Sequence, residues 1–472
     1  MKKIFFPIFL LLLTFSVFAN QIDVASAKKI VLHNLISASK NTNYSIKGIY
    51  PISEDEIIYF YLAEIAPKGY FIISADDNLP PVIAYSFENN ADIQSSITGF
   101  FKFDLKTRLD AVVFLPEEVI KERKAMWNKL LSDDYSRDRE FEQWPEEGTT
   151  STGGWLESSW NQGAPWNAMC PVDPVTSARS YTGCPATAMA MILDFHKTAN
   201  NLYFTDADDY DHNYAGRNFR FDDDWETIGF PSFTTLNTYL ATLYLHWQNS
   251  EPLTNEDMAA LSFACGLTAH QVYTSEGSGT FSVSQAYDAY MRINCSTALL
   301  YTETDEELFP TLILNMQHAL PAHLAIVDEA WSMGHNIVVD GYNTDNYFHI
   351  NFGWGGTYNG WYLIPDEMPY EMTVIEGIIV DIMKDNSSEN YLPTVKSDVE
   401  IYPNPANNTL FINHSDRIRS VEIFDNVGKA VIRENQLKNQ SQIDIKNLNK
   451  GTYFIRIIFE DKSFWNSGFI KL

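Results

Sequence analysis

A cysteine at the start of a predicted helix is the first candidate for chemistry in this chain. It lies in the sequence Gly-Cys-Pro-Ala-Thr-Ala at 183–188, where Pro185 suits a first helical turn and the apolar run to Leu193 predicts a buried helix. The positive end of a helix dipole and its unpaired backbone N–H groups favour the thiolate, the nucleophilic form of cysteine. A helix cysteine can also serve packing alone. A catalytic role for Cys184 therefore requires a distant histidine with an asparagine or aspartate.

A histidine and an asparagine in suitable surroundings lie further along the chain. His335 follows a glycine in an apolar, β-branched stretch that is typical of a buried strand. Asn351 comes at a spacing that suits an adjacent antiparallel strand after a turn at 342–346, where it can orient the imidazole and fix its tautomer. The alternative is a hairpin that only packs. His349 is a rival to His335, but its flanking pattern fits a structural strand position better.

Together these segments resemble the streptopain-like cysteine peptidases, papain-fold enzymes that bacteria secrete as zymogens. The resemblance rests on residues 183–188, on Gly-His at 334–335, on His-Ile-Asn-Phe-Gly-Trp-Gly-Gly at 349–356 and on Trp-Asn-Gln at 160–162. It implies that a peptide bond is hydrolysed through a thioester, without a cofactor. The roles that it implies are nucleophile for Cys184, general base and acid for His335, orientation of His335 for Asn351, and an oxyanion-hole donor for Gln162.

Two positions depart from the family pattern. Phe352 stands where a tryptophan is usual, and Asn336 stands where a small apolar residue is usual. Neither departure removes a reacting group, so they bear on specificity and rate more than on the class of reaction. The chain contains no HExxH or CxxC pair and no glycine-rich phosphate loop, so no metal or nucleotide cofactor is expected.

The N-terminal residues predict export. A basic start, an apolar run from Ile4 to Phe18 and a small residue at Ala19 form a secretory signal peptide at 1–19. No later stretch is apolar and long enough to cross a bilayer, so no integral membrane segment is expected in the mature form. A net charge of −28 over 472 residues argues against nucleic acid as a partner.

Cysteine content also limits the fold. Four cysteines are too few for a disulfide scaffold in a chain of this length, so a large core must stabilise it. If Cys184 stays free, one of the remaining three is left without an intramolecular partner. Their pairing is left open: Cys170, Cys265 and Cys295.

Residues 20–140 are predicted to form a mixed α+β module. The pattern indicates a helix at Ala25–Ile36 and strands at Ile57–Ala63 and Tyr70–Ser74. The module resembles the streptopain propeptide, which implies an inhibitory domain that covers the active site; the alternative is a generic domain with another binding role. The polar run Ser132–Thr152 is expected to be exposed and cleavable, with a processing linker at 141–152.

The remaining chain is expected to form two more domains. A papain-like peptidase domain with two lobes is expected at 153–384, followed by a polar linker at 385–396. Short alternating strands at 397–472 predict a small β-sandwich. Through Tyr-Pro-Asn-Pro at 402–405 it resembles the C-terminal sorting domain of the Bacteroidetes type IX secretion pathway, which implies that machinery as a partner. The alternative is an accessory sandwich that binds carbohydrate or protein.

The sequence as a whole predicts an α+β chain that acts as a secreted or surface-located bacterial cysteine endopeptidase. It would be made as a zymogen, act on polypeptide substrates outside the cell and carry its own propeptide as intramolecular inhibitor. The alternative is a catalytically inactive or acyl-transferring papain-fold relative that acts as a secreted binding protein. The natural substrate, the maturation site and the oligomeric state are left open.

Overall fold

The computed structural model describes residues 21–38, 43–132, 141–365, 368, 372–383, 399–413, 418–424, 430–435, 442–459 and 464–472. The predicted signal peptide at 1–19 and the predicted linker at 385–396 lie outside the described residues. The chain divides into two compact units, Met1–Met383 and Lys384–Leu472.

The N-terminal part of the first unit is a four-stranded antiparallel meander with helices packed on it. The predicted first helix and two of the predicted strands are confirmed, each within a few residues of its predicted bounds. Strands 70–74 and 82–86 are buried at every position, because helix 96–111 packs on one face and helix 24–38 packs on the other. The elements are α1 (Val24–Ala38), β1 (Ser45–Glu54), β2 (Ile57–Ala66), β3 (Tyr70–Ser74), β4 (Val82–Ser86), α2 (Ser96–Ala111), α3 (Glu117–Leu131) and β5 (Gln143–Trp144).

A helical lobe follows, built around the helix that Cys184 begins. Its alanine- and methionine-rich sequence is buried from Pro185 to Asp194, and it packs against α7, α8 and two strands of the sheet lobe. Small side chains allow this close approach on all sides. The elements are α4 (Cys184–His196), β6 (Asp211–Tyr214), β7 (Arg217–Arg220), α5 (Trp225–Ile228), α6 (Phe233–Asn249), α7 (Asn255–Thr268) and α8 (Val283–Arg292).

The second lobe is a sheet whose central hairpin carries His335 and Asn351. The predicted antiparallel pairing is confirmed, with Val338 opposite Asn351 and the turn at 344–347. Isoleucine, valine and phenylalanine side chains fill both faces, as expected for strands covered on two sides. The elements are β8 (Leu299–Tyr301), α9 (Leu308–Gln317), β9 (Ala322–Val327), β10 (Gly334–Asn343), β11 (Phe348–Asn351), β12 (Gly360–Tyr362) and β13 (Val374–Val380).

The N-terminal meander and the second lobe share one sheet. Strand β4 pairs with β12 through Tyr85 opposite Trp361 and Ala84 opposite Tyr362. Among the described residues the strand order is β1-β2-β3-β4-β12-β11-β10-β9-β13-β8, with β5 paired to β10. The N-terminal module is therefore joined edge to edge with the strands that carry His335.

Part of the predicted processing linker differs from expectation. Phe141 is buried, and Trp144 of β5 pairs with Tyr342 of β10 and stacks on its ring. Large apolar side chains within this otherwise polar run explain why it adheres to the sheet. Residues 146–151 follow in turns and bends, most of them exposed or half-buried.

The C-terminal unit consists of two small antiparallel sheets around one apolar core, in agreement with the predicted sandwich. One sheet has the order β14-β15-β18 and the other β17-β16-β19-β20 among the described residues. Alternating valine, isoleucine and leucine side chains form the core between them. The elements are β14 (Glu400–Tyr402), β15 (Thr409–Asn413), β16 (Ile418–Phe424), β17 (Ala430–Asn435), β18 (Gln442–Asp444), β19 (Gly451–Phe459) and β20 (Phe464–Lys471).

None of the described helices combines the length and the apolar character needed to span a bilayer.

Candidate active site

The turn before α4 places Cys184 at the first position of a buried helix. Gly183 has φ of 83°, in the left-handed region, and a Cβ there would lie 2.9 Å from the carbonyl oxygen of Ser278. Only glycine fits both the conformation and the space. The side chain of Gln271 donates to the carbonyl of Thr182, so the loop around 271–279 packs directly on the cysteine turn. The position of the nucleophile candidate is thus set by a second loop.

The Cys184 thiol is half-buried and is not activated in this structure. Burial raises the pKa of the thiol, and hydrogen-bond donation by Asn336 and by its own backbone N–H offsets only part of that rise. The expectation that the helix N-terminus would yield a thiolate is therefore wrong for this arrangement. Removal of the sulfur from water opposes the charged form more strongly than the donors favour it.

Gln162 lies on a loop that is tied to the same turn. Its carbonyl oxygen accepts from the N–H of Thr182 at 3.0 Å, and its own N–H donates to the side chain of Asn161 at 2.6 Å. Thr182 is two residues before Cys184, so this backbone bond fixes the approach of the Gln162 loop to the cysteine. The oxyanion role of the Gln162 side chain stays a prediction.

His335 is hydrogen-bonded to a backbone carbonyl rather than to the thiol. Its Nε2–H donates to the carbonyl oxygen of Phe352 at 2.9 Å, and the ring stacks on Trp354 with centroids 4.5 Å apart. Burial lowers the pKa of His335 to about 4, and the Phe352 hydrogen bond opposes this only partly. At neutral pH the ring is uncharged, so no thiolate–imidazolium pair is formed in this state.

Asn351 is engaged with the loops beside it rather than with His335. Its side-chain N–H donates to the carbonyl of Ser158 at 3.0 Å, and its side-chain oxygen accepts from the N–H of Gly353 at 3.1 Å. The predicted hydrogen bond between Asn351 and the imidazole is not present in this arrangement. The orienting role of Asn351 stays a prediction for the active arrangement.

Asn336, the residue after His335, contacts the sulfur. Its side-chain N–H donates to Cys184 Sγ at 3.9 Å, and its side-chain oxygen accepts from Nε2 of the buried His323 at 2.7 Å. The other nitrogen of His323 lies 3.2 Å from the hydroxyl of Tyr290. The sequence showed Asn336 only as a departure from the family pattern, and it gave no signal for His323 or Tyr290.

His349, the rival histidine, lies in a buried ion pair. Its Nδ1 lies 2.6 Å from a carboxylate oxygen of Asp340, and both side chains are fully buried. Burial alone would lower the pKa of His349, but the Asp340 charge and hydrogen bond outweigh it and raise the pKa. The second Asp340 oxygen accepts from the N–H of Leu156 at 2.9 Å. This pair ties the start of the predicted peptidase domain to β10.

The remaining cysteines and one acidic group complete the chemical inventory of the described residues. All four cysteines are free thiols, and burial raises the pKa of Cys170, Cys265 and Cys295. Carboxylate oxygens of Asp206, Asp209 and Asp222 lie within 4.8 Å of one another, a spacing that a cation can bridge. Arg220 already pairs with Asp209 at 3.6 Å, so this group has a positive partner from the chain itself.

The N-terminal module contacts the loop that holds His335. Phe100 of α2 stacks on Tyr358 with centroids 4.1 Å apart, and Tyr358 meets Trp354 edge-on at 5.8 Å. Asn89 donates to the carbonyl of Asn359 at 3.2 Å, and the Asn359 side chain accepts from the N–H of Phe352 at 3.1 Å. Two routes therefore connect the N-terminal module to the ring of His335: one through stacked aromatic rings and one through hydrogen bonds.

A cysteine at a helix start, a histidine on the facing sheet lobe and a module docked beside them are the arrangement expected of a papain-like cysteine-peptidase domain. Comparison with protein families agrees: residues 160–362 match the Peptidase C10 family. Residues 19–107 match the Spi protease inhibitor family, and residues 400–471 match the secretion system C-terminal sorting domain. The predicted streptopain-type peptidase domain, inhibitor-type propeptide and sorting domain are confirmed.

Individual proteins similar to this chain include named proteases. The chain is similar to the thiol protease/hemagglutinin PrtT of Porphyromonas gingivalis, 26% identical over 382 residues that cover 76% of this chain and 41% of that protein. It is similar to streptopain of Streptococcus pyogenes, 24% identical over 64% of this chain and 73% of that protein. Among solved structures, a prointerpain A fragment of Prevotella intermedia is 20% identical, with a TM-score of 0.46 over 71% of this chain and 97% of the fragment. The chain thus spans less than half the length of PrtT.

Proposed function

We propose that this chain is the latent precursor of a secreted cysteine endopeptidase that hydrolyses peptide bonds of proteins outside the cell. The observation that carries the proposal is the contact between the Cys184 sulfur and the strand that bears His335. Asn336 reaches that sulfur at 3.9 Å, so the histidine backbone is already beside the nucleophile. The sorting-domain match places the product at the cell surface or in the extracellular space.

Catalysis requires the His335 ring to leave the Phe352 carbonyl and turn toward Cys184. There the imidazole takes the thiol proton, and the thiolate attacks the peptide carbonyl. The Cys184 backbone N–H and the Gln162 side chain stabilise the oxyanion, a contribution typically worth about 10²–10³ in turnover for one donor. His335 then protonates the leaving amine, Asn351 keeps the ring in its reactive orientation, and water hydrolyses the thioester.

Latency follows from the protonation states and from the contacts of the N-terminal module. In the precursor a protonated thiol faces no imidazolium, because burial raises the pKa of Cys184 and lowers that of His335. The module stacks on Tyr358 and donates to Asn359, and these two residues support the loop that binds the ring. Removal of the module would free that loop. The module therefore acts as an intramolecular inhibitor.

Substitution of the nucleophile tests this proposal. Full-length protein and Cys184→Ala are incubated with casein, and each is treated with an epoxide inhibitor that alkylates peptidase thiols. Caseinolysis and labelling at Cys184 are expected in the parent after removal of residues 20–140, and both are expected to be lost in the variant. Cys170→Ala provides the matched control, because this cysteine is fully buried. Caseinolysis that persists in Cys184→Ala would refute the assignment of the nucleophile.

A further inference from the structure

We propose that Asn336 is a further residue of the catalytic centre: it donates a hydrogen bond to the Cys184 sulfur and is held in that orientation by His323 and Tyr290. This inference rests on the proposed role of Cys184 as nucleophile. It goes beyond that role because it assigns a function to a residue that departs from the family pattern and to two buried partners that no catalytic step requires.

The three side chains form one line of hydrogen bonds that ends at the sulfur. The distances are 3.2 Å from the Tyr290 hydroxyl to His323 Nδ1, 2.7 Å from His323 Nε2 to Asn336 Oδ1, and 3.9 Å from Asn336 Nδ2 to Cys184 Sγ. Tyr290 and His323 are fully buried, and Asn336 is half-buried. A buried line of this kind fixes the rotamer of each member, because every unmade bond there costs desolvation energy.

The direction of donation along the line is determined by its far end. Burial lowers the pKa of His323 to about 4, so at neutral pH the ring carries one N–H. Among the described residues the Tyr290 hydroxyl has no second hydrogen-bond partner, so its proton goes to Nδ1 of His323. The ring proton then resides on Nε2 and goes to the Asn336 oxygen.

This direction decides which end of the Asn336 amide faces the nucleophile. Since its oxygen accepts from His323, its NH₂ group must point at the sulfur. A donor there stabilises the thiolate, whereas an amide oxygen in the same place would repel it. The His323 tautomer therefore makes Asn336 a stabiliser of the nucleophilic form. His323 and Tyr290 are positioning residues, because they act through Asn336.

Charged groups do not compete with this donor. The elements packed against α4 are α7, α8, β9 and β10, and burial keeps four of their titratable groups uncharged at neutral pH: Cys265, Tyr290, His323 and His335. Two buried carboxylates on these elements, Asp257 and Asp340, pair with His246 and His349. The influences on the pKa of the Cys184 thiol are its burial, then the backbone and the side-chain hydrogen bonds of Asn336, then its own backbone N–H. Loss of the Asn336 side-chain donor removes one of these hydrogen bonds and leaves the backbone ones in place, so the pKa of the thiol should rise further.

The test measures the rate of Cys184 alkylation by iodoacetamide from pH 5 to 10 in the full-length chain, with the modified cysteine located by peptide mass spectrometry. Asn336→Leu keeps approximately the side-chain volume and removes the donor. The pKa of the thiol is expected to rise, which slows alkylation severalfold at pH values below both pKa values. Asn213→Leu is the matched control, because Asn213 is exposed on β6.

The positioning residues are tested in the same assay. His323→Leu should shift the profile in the same direction as Asn336→Leu. His323→Gln should restore it, because the glutamine amide N–H can replace Nε2–H as donor to Asn336. If Asn336→Leu fails to fold by its melting temperature, Asn336→Ala removes the donor without adding bulk. A profile that superimposes on that of the parent in the folded variant would overturn the inference.

The assay separates this inference from the proposed function. Alkylation needs no peptidase turnover, so it reports on the thiol even if the chain cleaves no protein. An unchanged profile together with normal caseinolysis refutes the role of Asn336 alone. Caseinolysis that persists without Cys184 refutes the proposed nucleophile, whatever the alkylation profile shows.

Discussion

The ring of His335 donates from Nε2 to the backbone carbonyl of Phe352 at 2.9 Å. The carbonyl belongs to a loop in which Gly353, Gly355 and Gly356 all have positive φ. Such a backbone is accessible mainly to glycine, and it lets the chain reverse tightly around the imidazole. The N-terminal module contacts the far end of the same loop, so we expect the orientation of the His335 ring to change when that module is removed.

Loosening the aromatic contact of the module should therefore increase the reactivity of the precursor. Phe100→Ala removes the ring that stacks on Tyr358, which in turn meets Trp354 beneath His335. We expect faster inhibitor labelling at Cys184 and earlier appearance of shortened protein than in the parent. Loss of a buried phenylalanine also typically costs about 3–5 kcal/mol, so labelling is compared below the melting temperature of the variant.

Phe103→Ala is the control for this prediction. Phe103 lies on the same helix, but 60% of it is exposed. Its removal should leave labelling at the rate of the parent. Equal labelling rates for Phe100→Ala and Phe103→Ala would show that the stacked rings do not restrain His335.

Acid should weaken the latent arrangement. The pKa of His335 is about 4 in the folded precursor, against an ordinary value of 6.5. Between these values the unfolded chain binds more protons, so the free energy of unfolding falls as the pH is lowered from 6.5 toward 4. His323 acts in the same direction with the same pKa. For each ring the loss by pH 4 is on the order of 2–3 kcal/mol.

Urea unfolding of the Cys184→Ala precursor at several pH values measures this effect, because that background prevents self-cleavage. His335→Gln retains a donor for the Phe352 carbonyl but cannot be protonated. It should show a shallower decline between pH 6.5 and 4 than the parent does. The same decline in both proteins would mean that His335 is not excluded from water as the structure shows.

The buried pair of His349 and Asp340 should contribute strongly to the free energy of unfolding. Asp340→Asn leaves the imidazole without its counter-charge and weakens acceptance of the Leu156 N–H. Breaking a buried pair typically costs about 3–5 kcal/mol. The variant should unfold at markedly lower urea concentration. As control, Lys106→Ala removes an exposed pair with Glu54 and should leave the unfolding midpoint nearly unchanged.

The Gly183 turn offers a test of the geometry of the nucleophile. Gly183→Ala forces a side chain into a left-handed conformation 2.9 Å from the Ser278 carbonyl. We expect loss of inhibitor labelling and a lower melting temperature, because the turn must move before Cys184 can form its helix end. Gly99→Ala on α2 is the control, since nothing lies within 4 Å of its new methyl group. Its melting temperature should be unchanged or higher.

Local pattern predicted the elements that carry the site, but not how their side chains pair. The helix at Cys184 and the hairpin of His335 and Asn351 follow from proline placement, apolar runs and turn spacing, which are properties of neighbouring residues. The contact of Asn336 with Cys184 joins residues 152 positions apart. Its existence depends on the packing of β10 against α4, which a periodic pattern does not encode.

The hydrogen-bond partner of the His335 ring could not be predicted from the sequence, for a different reason. Residue types define which groups can react, whereas the rotamer of a ring depends on competing partners in one particular state. The sequence pattern concerns the side chain of Phe352, whereas the backbone carbonyl of Phe352 binds the imidazole. A backbone atom is the same in every residue, so no residue pattern could reveal it.

The pairing of β4 with β12 has a consequence for the processed protein. Tyr85 and Ala84 of the N-terminal module pair with the edge of β12, opposite Trp361 and Tyr362. Both aromatic residues are fully buried in the precursor. Departure of the module would leave β12 as an edge strand with unpaired backbone N–H and C=O groups beside large aromatic rings. Another extended chain could pair with such an edge. Removal of the module would thus expose a strand edge that is covered in the precursor. A protein that pairs with this edge would recognise the processed form alone.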